Sequence, residues 1–144
     1  MPKNVTAQDA ATTCACHKAR IGARAVTRAY DEALRPVGLR STQFTVLVAA
    51  SVASGIPLNQ LAAILGLERT TLTRSLNAIE KEGFIRVESV DGRTRKVVLT
   101  QRGKDRLDVA LPLWSQAQQN LRKRLGEQRW AIVNDALAML AEAV

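Results

Sequence analysis

The sequence predicts a mainly α domain carrying one small β-hairpin. Three observations lead there. Apolar residues recur at helical spacing over most of the 144 residues. The period changes to two only around Asp91-Gly92, between Phe84 and Leu99. Glycine or proline stands at nearly every change of pattern. Hydrophobic residues make up 47% and charged residues 24%, an ordinary globular balance that excludes overall disorder and allows one sizeable core.

Taken in order, Thr12 to Arg35 reads as one long helix, with Val26, Tyr30, Ala33 and Val37 on one face and Pro36 and Gly38 as its stop. Ser41 offers an N-cap hydroxyl to a second helix containing Phe44, Leu47 and Val48, closed by Ser54-Gly55. A short third helix places Leu58, Leu61, Ala62 and Leu65 on one side and ends at Gly66. The fourth runs from Arg69 to Glu82, with Leu72, Leu76 and Ile79 inward, Gly83 beyond its end, and Thr70, Thr71, Thr73, Arg74, Asn77 and Lys81 outward. Phe84 to Ser89 and Lys96 to Leu99 read as strands, joined through Asp91-Gly92 by a tip longer than a two-residue turn. From Gln101 helices return: Leu107, Leu111, Trp114, Gln118, Leu121 and Leu125 form a mostly apolar stripe interrupted by Pro112, Gly126 breaks it, and Trp130, Val133, Leu137 and Leu140 line a last helix. No repeat or linker divides the chain, so residues 1–144 read as a single domain.

The charge is unevenly placed. Lysine and arginine number 21 against 13 acidic residues, a net charge of +8. Residues 1–56 hold +4, 57–67 none, 68–106 +4, and 107–144 zero. A basic excess on the fourth helix and the hairpin suits a polyanionic partner. A short helix, a glycine-containing turn, a second amphipathic helix and a basic-tipped hairpin together make a winged helix-turn-helix lobe. The first helix braces the second, whose exposed N-terminal half enters the major groove of duplex DNA. Arg69, Thr70, Thr71, Thr73, Arg74 and Asn77 are then the groove-facing residues. Arg93, Arg95 and Lys96 form a cationic wing for phosphates or a narrow minor groove. Because Arg69 lies nearer the helix N-terminus, it is the expected base reader, with Arg74 on a phosphate.

Leu61-Ala62, Leu65-Gly66-Leu67, Thr70-Thr71-Leu72-Thr73-Arg74, Leu76, Ile79-Glu80, Gly83-Phe84-Ile85, Asp91-Gly92-Arg93, Val98-Leu99-Thr100 and Gly103 follow one another in a characteristic order. In these residues the chain resembles the MarR family of bacterial transcription regulators. The resemblance implies a lobe over 41–103 between dimerisation helices at 12–37 and 105–144. It also implies a homodimer on a palindromic operator, acting as a repressor released by a small molecule or by oxidation. Arg93 becomes the wing arginine, and Asp91 holds the wing loop by pairing with a neighbouring arginine. Two positions differ from the family's usual pattern: Pro57 stands where a capping hydroxyl often precedes the third helix, and Glu68 where Asp or Ser often caps the fourth.

Outside the lobe, His17, Arg20 and Arg24 repeat at i, i+3 and i+7 and could meet a carboxylate or phosphate, or serve only interhelical pairing. Tyr30, Phe44 and Trp114 could wall a small-molecule pocket. Cys14 and Cys16 are redox candidates or an inert, part-buried thiol pair. Two residues apart on one helix they diverge by about 200°, so a shared metal ion is excluded while that helix persists. With one histidine, no glycine-rich phosphate loop, no paired-carboxylate motif and no nucleophile elbow, catalysis has no foothold, and no cofactor is expected. A winged module that binds protein would not need both a cationic wing and a Thr/Arg helix face. No apolar run approaches the roughly 20 residues of a membrane span, and the N-terminus is polar, so the expected setting is the cytoplasm.

Overall fold

A computed structural model describes residues 4–53 and 55–143. Ser54, read above as part of a helix stop, lies outside them. Among the described residues, seven helices and three strands run in the order α1 (Ala7–Thr13), α2 (Ala15–Leu34), α3 (Ser41–Val52), β1 (Ile56–Pro57), α4 (Leu58–Leu65), α5 (Arg69–Lys81), β2 (Ile85–Ser89), β3 (Arg95–Leu99), α6 (Gln101–Leu125) and α7 (Glu127–Glu142), with a 3-10 turn at Arg35–Val37. The fold is the mainly helical one with a small antiparallel sheet that the sequence predicts.

The first helix is not continuous. Thr6 and Asp9 form a reciprocal capping box that starts α1 at Ala7, upstream of the expected Thr12. The hydroxyls of Thr12 and Thr13 then donate back to the carbonyls of Gln8 and Asp9, which competes with the helical ladder. The chain turns extended at Cys14, with ψ 111°, before α2 begins. Ser41 is not a cap either: Arg40 holds the N-cap position, Gln43 Oε1 accepts its N–H at 2.9 Å, and the Ser41 N–H goes to Asp31 Oδ1 at 2.7 Å. α6 runs through Pro112 without a break.

The sheet has one strand more than expected. β1 pairs antiparallel with β3, Ile56 opposite Val97, and β3 pairs with β2, Val87 opposite Val97, giving the order β1-β3-β2. Pro57 lacks an N–H and therefore suits this edge strand, from which the chain passes directly into α4. Gly66 ends α4 in the left-handed region at φ 60°, with Leu67 N–H bonding back to Ala62 C=O at 3.1 Å. That tight exit brings α5 against the lobe within three residues.

The core lies inside the lobe. Leu34, Val46, Leu47, Leu61, Leu72, Ile79 and Val97 are fully buried, and α6 closes the floor with Leu107 and Ala110. Gly103 makes that closure possible, because a Cβ there would stand 2.0 Å from the Phe84 carbonyl oxygen. Arg102 and Arg106 lie over the Phe84 ring at 5.6 and 5.2 Å, and Arg106 Nη1 also donates to Val37 C=O at 2.5 Å. α6 is thus both the last wall of the lobe and the base of an arm. α1 and α7 bury nothing.

Candidate nucleic-acid interface

α4 and α5 cross at the Gly66-Leu67-Glu68 turn, and Leu72, Leu76 and Ile79 fix α5 onto the core. Glu68 is a weak N-cap with no side-chain hydrogen bond, as its departure from Asp or Ser implies. The opposite face of α5 is free: Arg69, Thr70, Thr71, Arg74, Asn77 and Lys81 are exposed. Thr73 differs, being half-buried, and its hydroxyl donates to Arg69 C=O at 2.9 Å.

The wing is tied by one carboxylate. Asp91 Oδ1 accepts the N–H groups of Arg93 at 2.9 Å and Thr94 at 2.6 Å, and Oδ2 accepts the Thr94 hydroxyl at 3.2 Å. The Thr94 and then the Arg93 amide hold its carboxyl below the usual carboxylate range. Asp91 therefore holds the loop through backbone amides and not through an arginine, which corrects the expectation. Among the described residues the ion pairs are Arg86–Glu88 and Arg122–Glu127, so the arginine side chains of the tip keep their charge for another partner. The tip closes where Val90 N–H meets Thr94 C=O at 2.9 Å. Arg93 is in that turn, Arg95 begins β3, and Lys96 is half-buried in the central strand between Pro57 and Glu88.

Helix and wing face a common hollow of about 420 Å³, lined by Leu58, Asn59 and Ala62 of α4, Arg69 of α5, and Arg93, Thr94 and Arg95 of the wing. Asn59 and Thr94 were not singled out from sequence. A polar residue in the first turn of a helix-turn-helix brace was the available signal for Asn59.

A second cleft, of about 370 Å³, lies where the arm meets the lobe. Tyr30, Phe44 and Trp114 line it with Val26, Thr27, Leu34, Ser41, Thr42, Thr45, Ile64, Leu65 and Leu67. Phe44 and Trp114 stack at 6.0 Å, and Tyr30 donates its hydroxyl hydrogen bond to Gln118. Burial raises the Tyr30 pKa. His17, Arg20 and Arg24 do not reach this cleft; all three are exposed along α2, and Arg20 Nη2 approaches Cys16 Sγ at 3.4 Å. Cys14 and Cys16 are both exposed, not part-buried, and the break at Cys14 removes the continuous helix on which their divergence was argued. Among the described residues no group of three His, Cys, Asp or Glu side chains could hold a metal ion, and no helix is long and apolar enough to cross a membrane.

A helix-turn-helix flanked by a basic hairpin defines a winged DNA-binding fold. Comparison with known proteins narrows this class. The MarR family model matches residues 39–94. The chain is 37% identical to the Mycobacterium tuberculosis transcriptional regulator MosR, the match covering 92% of this chain and 96% of that one with a TM-score of 0.82. It is 40% identical to MosR in a structure with DNA, over 90% of this chain and 95% of that one, again with a TM-score of 0.82. The Bacillus subtilis regulator YwoH is 30% identical over 86 residues, 59% of this chain, and the match spans 63% of that protein's length. The chain belongs to the MarR family, whose members are helix-turn-helix transcription regulators and not enzymes.

Proposed function

We propose that the chain works as a cytoplasmic homodimeric repressor that binds a palindromic operator and is released by a small molecule. The observation that carries the DNA half is the exposed Thr/Arg face of α5 beside a wing whose arginines pair with no carboxylate among the described residues. The DNA complex of the relative MosR supports it. The contacts we assign are Arg69, Thr70, Thr71, Arg74 and Asn77 on α5 and Arg93 and Arg95 on the wing, with Asp91 shaping the wing. Thr73 and Lys96 contribute less, since one hydroxyl is already bonded and the other side chain is half-buried. Two recognition helices related by a two-fold axis enter the same face of B-DNA about 10 base pairs apart. Footprinting on duplexes recovered by in vitro selection tests this: an inverted repeat with that spacing is expected, and a direct repeat or single half-site overturns the dimeric reading.

The effector half rests on the cleft between α2, α3 and α6. Its lining is apolar and aromatic with several hydroxyls and no charged side chain, which suits an aromatic or phenolic ligand more than the carboxylate-bearing one that His17, Arg20 and Arg24 suggest. A thermal-shift screen of phenols and aromatic acids tests it, because a ligand selective for the folded state raises the melting temperature by mass action. Hits should also release DNA, and Tyr30→Ala should abolish both effects.

The exposure of both thiols at the α1–α2 break favours a second reading, release by oxidation. A hydroperoxide would take two electrons and two protons from Cys14 and Cys16, leaving as alcohol and water while one S–S bond forms. The Cys14→Ser/Cys16→Ser variant should bind DNA normally and ignore peroxide; an unchanged peroxide response removes this reading.

A further inference from the structure

We propose that Arg69 works with the wing as a phosphate clamp and that Arg74, with Thr70 and Asn77, reads the bases. This reverses the assignment that nearness to the helix N-terminus suggests. It rests on the DNA-binding reading above.

Two independent observations carry it. The first is the hollow shared by Arg69, Arg93, Arg95 and Asn59. When α5 occupies a major groove and the wing reaches the neighbouring minor groove, the element between the two grooves is one sugar–phosphate strand. Side chains facing the space between helix and wing therefore face phosphates. Three guanidinium groups and an amide are donors suited to that ridge, and phosphate contacts fix register without carrying sequence.

The second is the angular position of each residue on α5. A helix turns about 100° per residue, so with Leu72 as the origin Arg69 falls at about 60°, Asn77 at about 140°, Thr70 at about 160° and Arg74 at about 200°. Leu72, Leu76 and Ile79 mark the buried pole. Arg69 thus emerges beside the core, on the flank that meets α4 and the wing. Thr70, Arg74 and Asn77 point away from the core, along the line by which base edges are approached. Arginine can bond guanine at two atoms and asparagine adenine at two, whereas Arg69 turned toward the wing meets only the strand.

The test uses the full-length protein, a random-sequence duplex pool for in vitro selection, and anisotropy titrations on the selected duplex and on a generic one. Arg69→Ala and Arg93→Ala should recover the same consensus as the unsubstituted protein. Each should weaken both duplexes by a similar factor and reduce the salt slope by about one. Arg74→Ala should blur one consensus position in each half-site and lower the selected-to-generic affinity ratio about tenfold or more. Arg74→Lys keeps the charge but not the two-atom geometry, so it should lower the same ratio while leaving the salt slope unchanged. The division is overturned if Arg69→Ala loses a consensus position while Arg74→Ala and Arg74→Lys keep the full ratio. A different failure, in which the unsubstituted protein selects no sequence and its binding does not depend on salt, overturns the DNA-binding reading itself.

Discussion

The lobe and the arms solve their hydrophobic problem differently. Among the described residues, every buried apolar side chain lies between Leu34 and Ala110, whereas α7 leaves Leu137 at 57% and Leu140 at 51% exposure and α1 buries nothing. The core of the lobe is therefore closed within one chain, while α7 leaves an apolar face uncovered. In the proposed dimer, the lobe supplies chemistry and the arms supply spacing. The two should fail separately.

The largest effect is expected inside the lobe. Gly103→Ala would drive a Cβ to 2.0 Å from the Phe84 carbonyl and 2.8 Å from Leu99 Cδ1, both in packed surroundings. The Leu99 side chain can turn aside, but the Phe84 carbonyl cannot yield without moving α6 off the sheet. A loss of about 3 kcal/mol or more in chemical denaturation is expected, since overpacking of this kind lies at the costly end of core substitutions. A small loss would mean that α6 packs on the lobe more loosely than the Phe84 contact indicates.

Next comes the arm. Leu137→Glu with Leu140→Glu should raise the dimer dissociation constant about a hundredfold, roughly 2.7 kcal/mol, by leaving carboxylates unpaired in an apolar interface. Sedimentation should report monomer while the circular dichroism of the lobe persists. Unfolding of the whole chain together with dissociation would instead show that lobe and arm are one cooperative unit.

An intermediate effect is expected where the two regions meet. Arg106 grips Phe84 and the Val37 carbonyl from α6, so it links the arm to the lobe. Arg106→Met keeps the aliphatic stem but loses the charge and the donor. A loss of about 1–2 kcal/mol in thermal denaturation is expected. A melting temperature equal to that of the unsubstituted chain would remove Arg106 as a link.

How much of this could be read from sequence also divides by region. Leu72, Leu76 and Ile79 of α5 and the stop at Gly66 were legible because periodicity and a left-handed glycine are local signals. β1 was not, since two residues have no period, and only their pairing with Val97 and Lys96 makes them a strand. The break at Cys14 is a single extended residue, ψ 111°, between two helical runs, and neither composition nor periodicity marks it. At the DNA face, residue types marked Arg69, Arg74 and Arg93 as candidates. The shared hollow that groups Arg69 with the wing exists only after α4, α5 and the hairpin converge.

The smallest effect sharpens the comparison within the lobe, between its packed base and its exposed tip. Asp91 keeps the wing turn in shape while lying fully exposed, so global stability should not register its loss. Its carboxyl is held below the ordinary value of 3.8 by the Thr94 and Arg93 amides. A depressed folded-state pKa means that the contribution is fully present above the unfolded value and disappears as pH falls through the folded one. The turn should thus be ordered at neutral pH and loosen only below about pH 3.8, the ordinary carboxyl value. Amide resonances of Arg93 and Thr94 followed by NMR should shift together in that acidic window. Asp91→Asn retains an acceptor but cannot titrate, so those resonances should stay put while the melting temperature is unchanged. Asp91→Ala leaves both amides to water and should weaken DNA binding at neutral pH less than Arg93→Ala does, because it disorders the arginine without removing its charge. If Asp91→Ala weakens binding as much as Arg93→Ala, the shape of the wing matters as much as its charge, and the tip must be held as rigidly as the core beneath it.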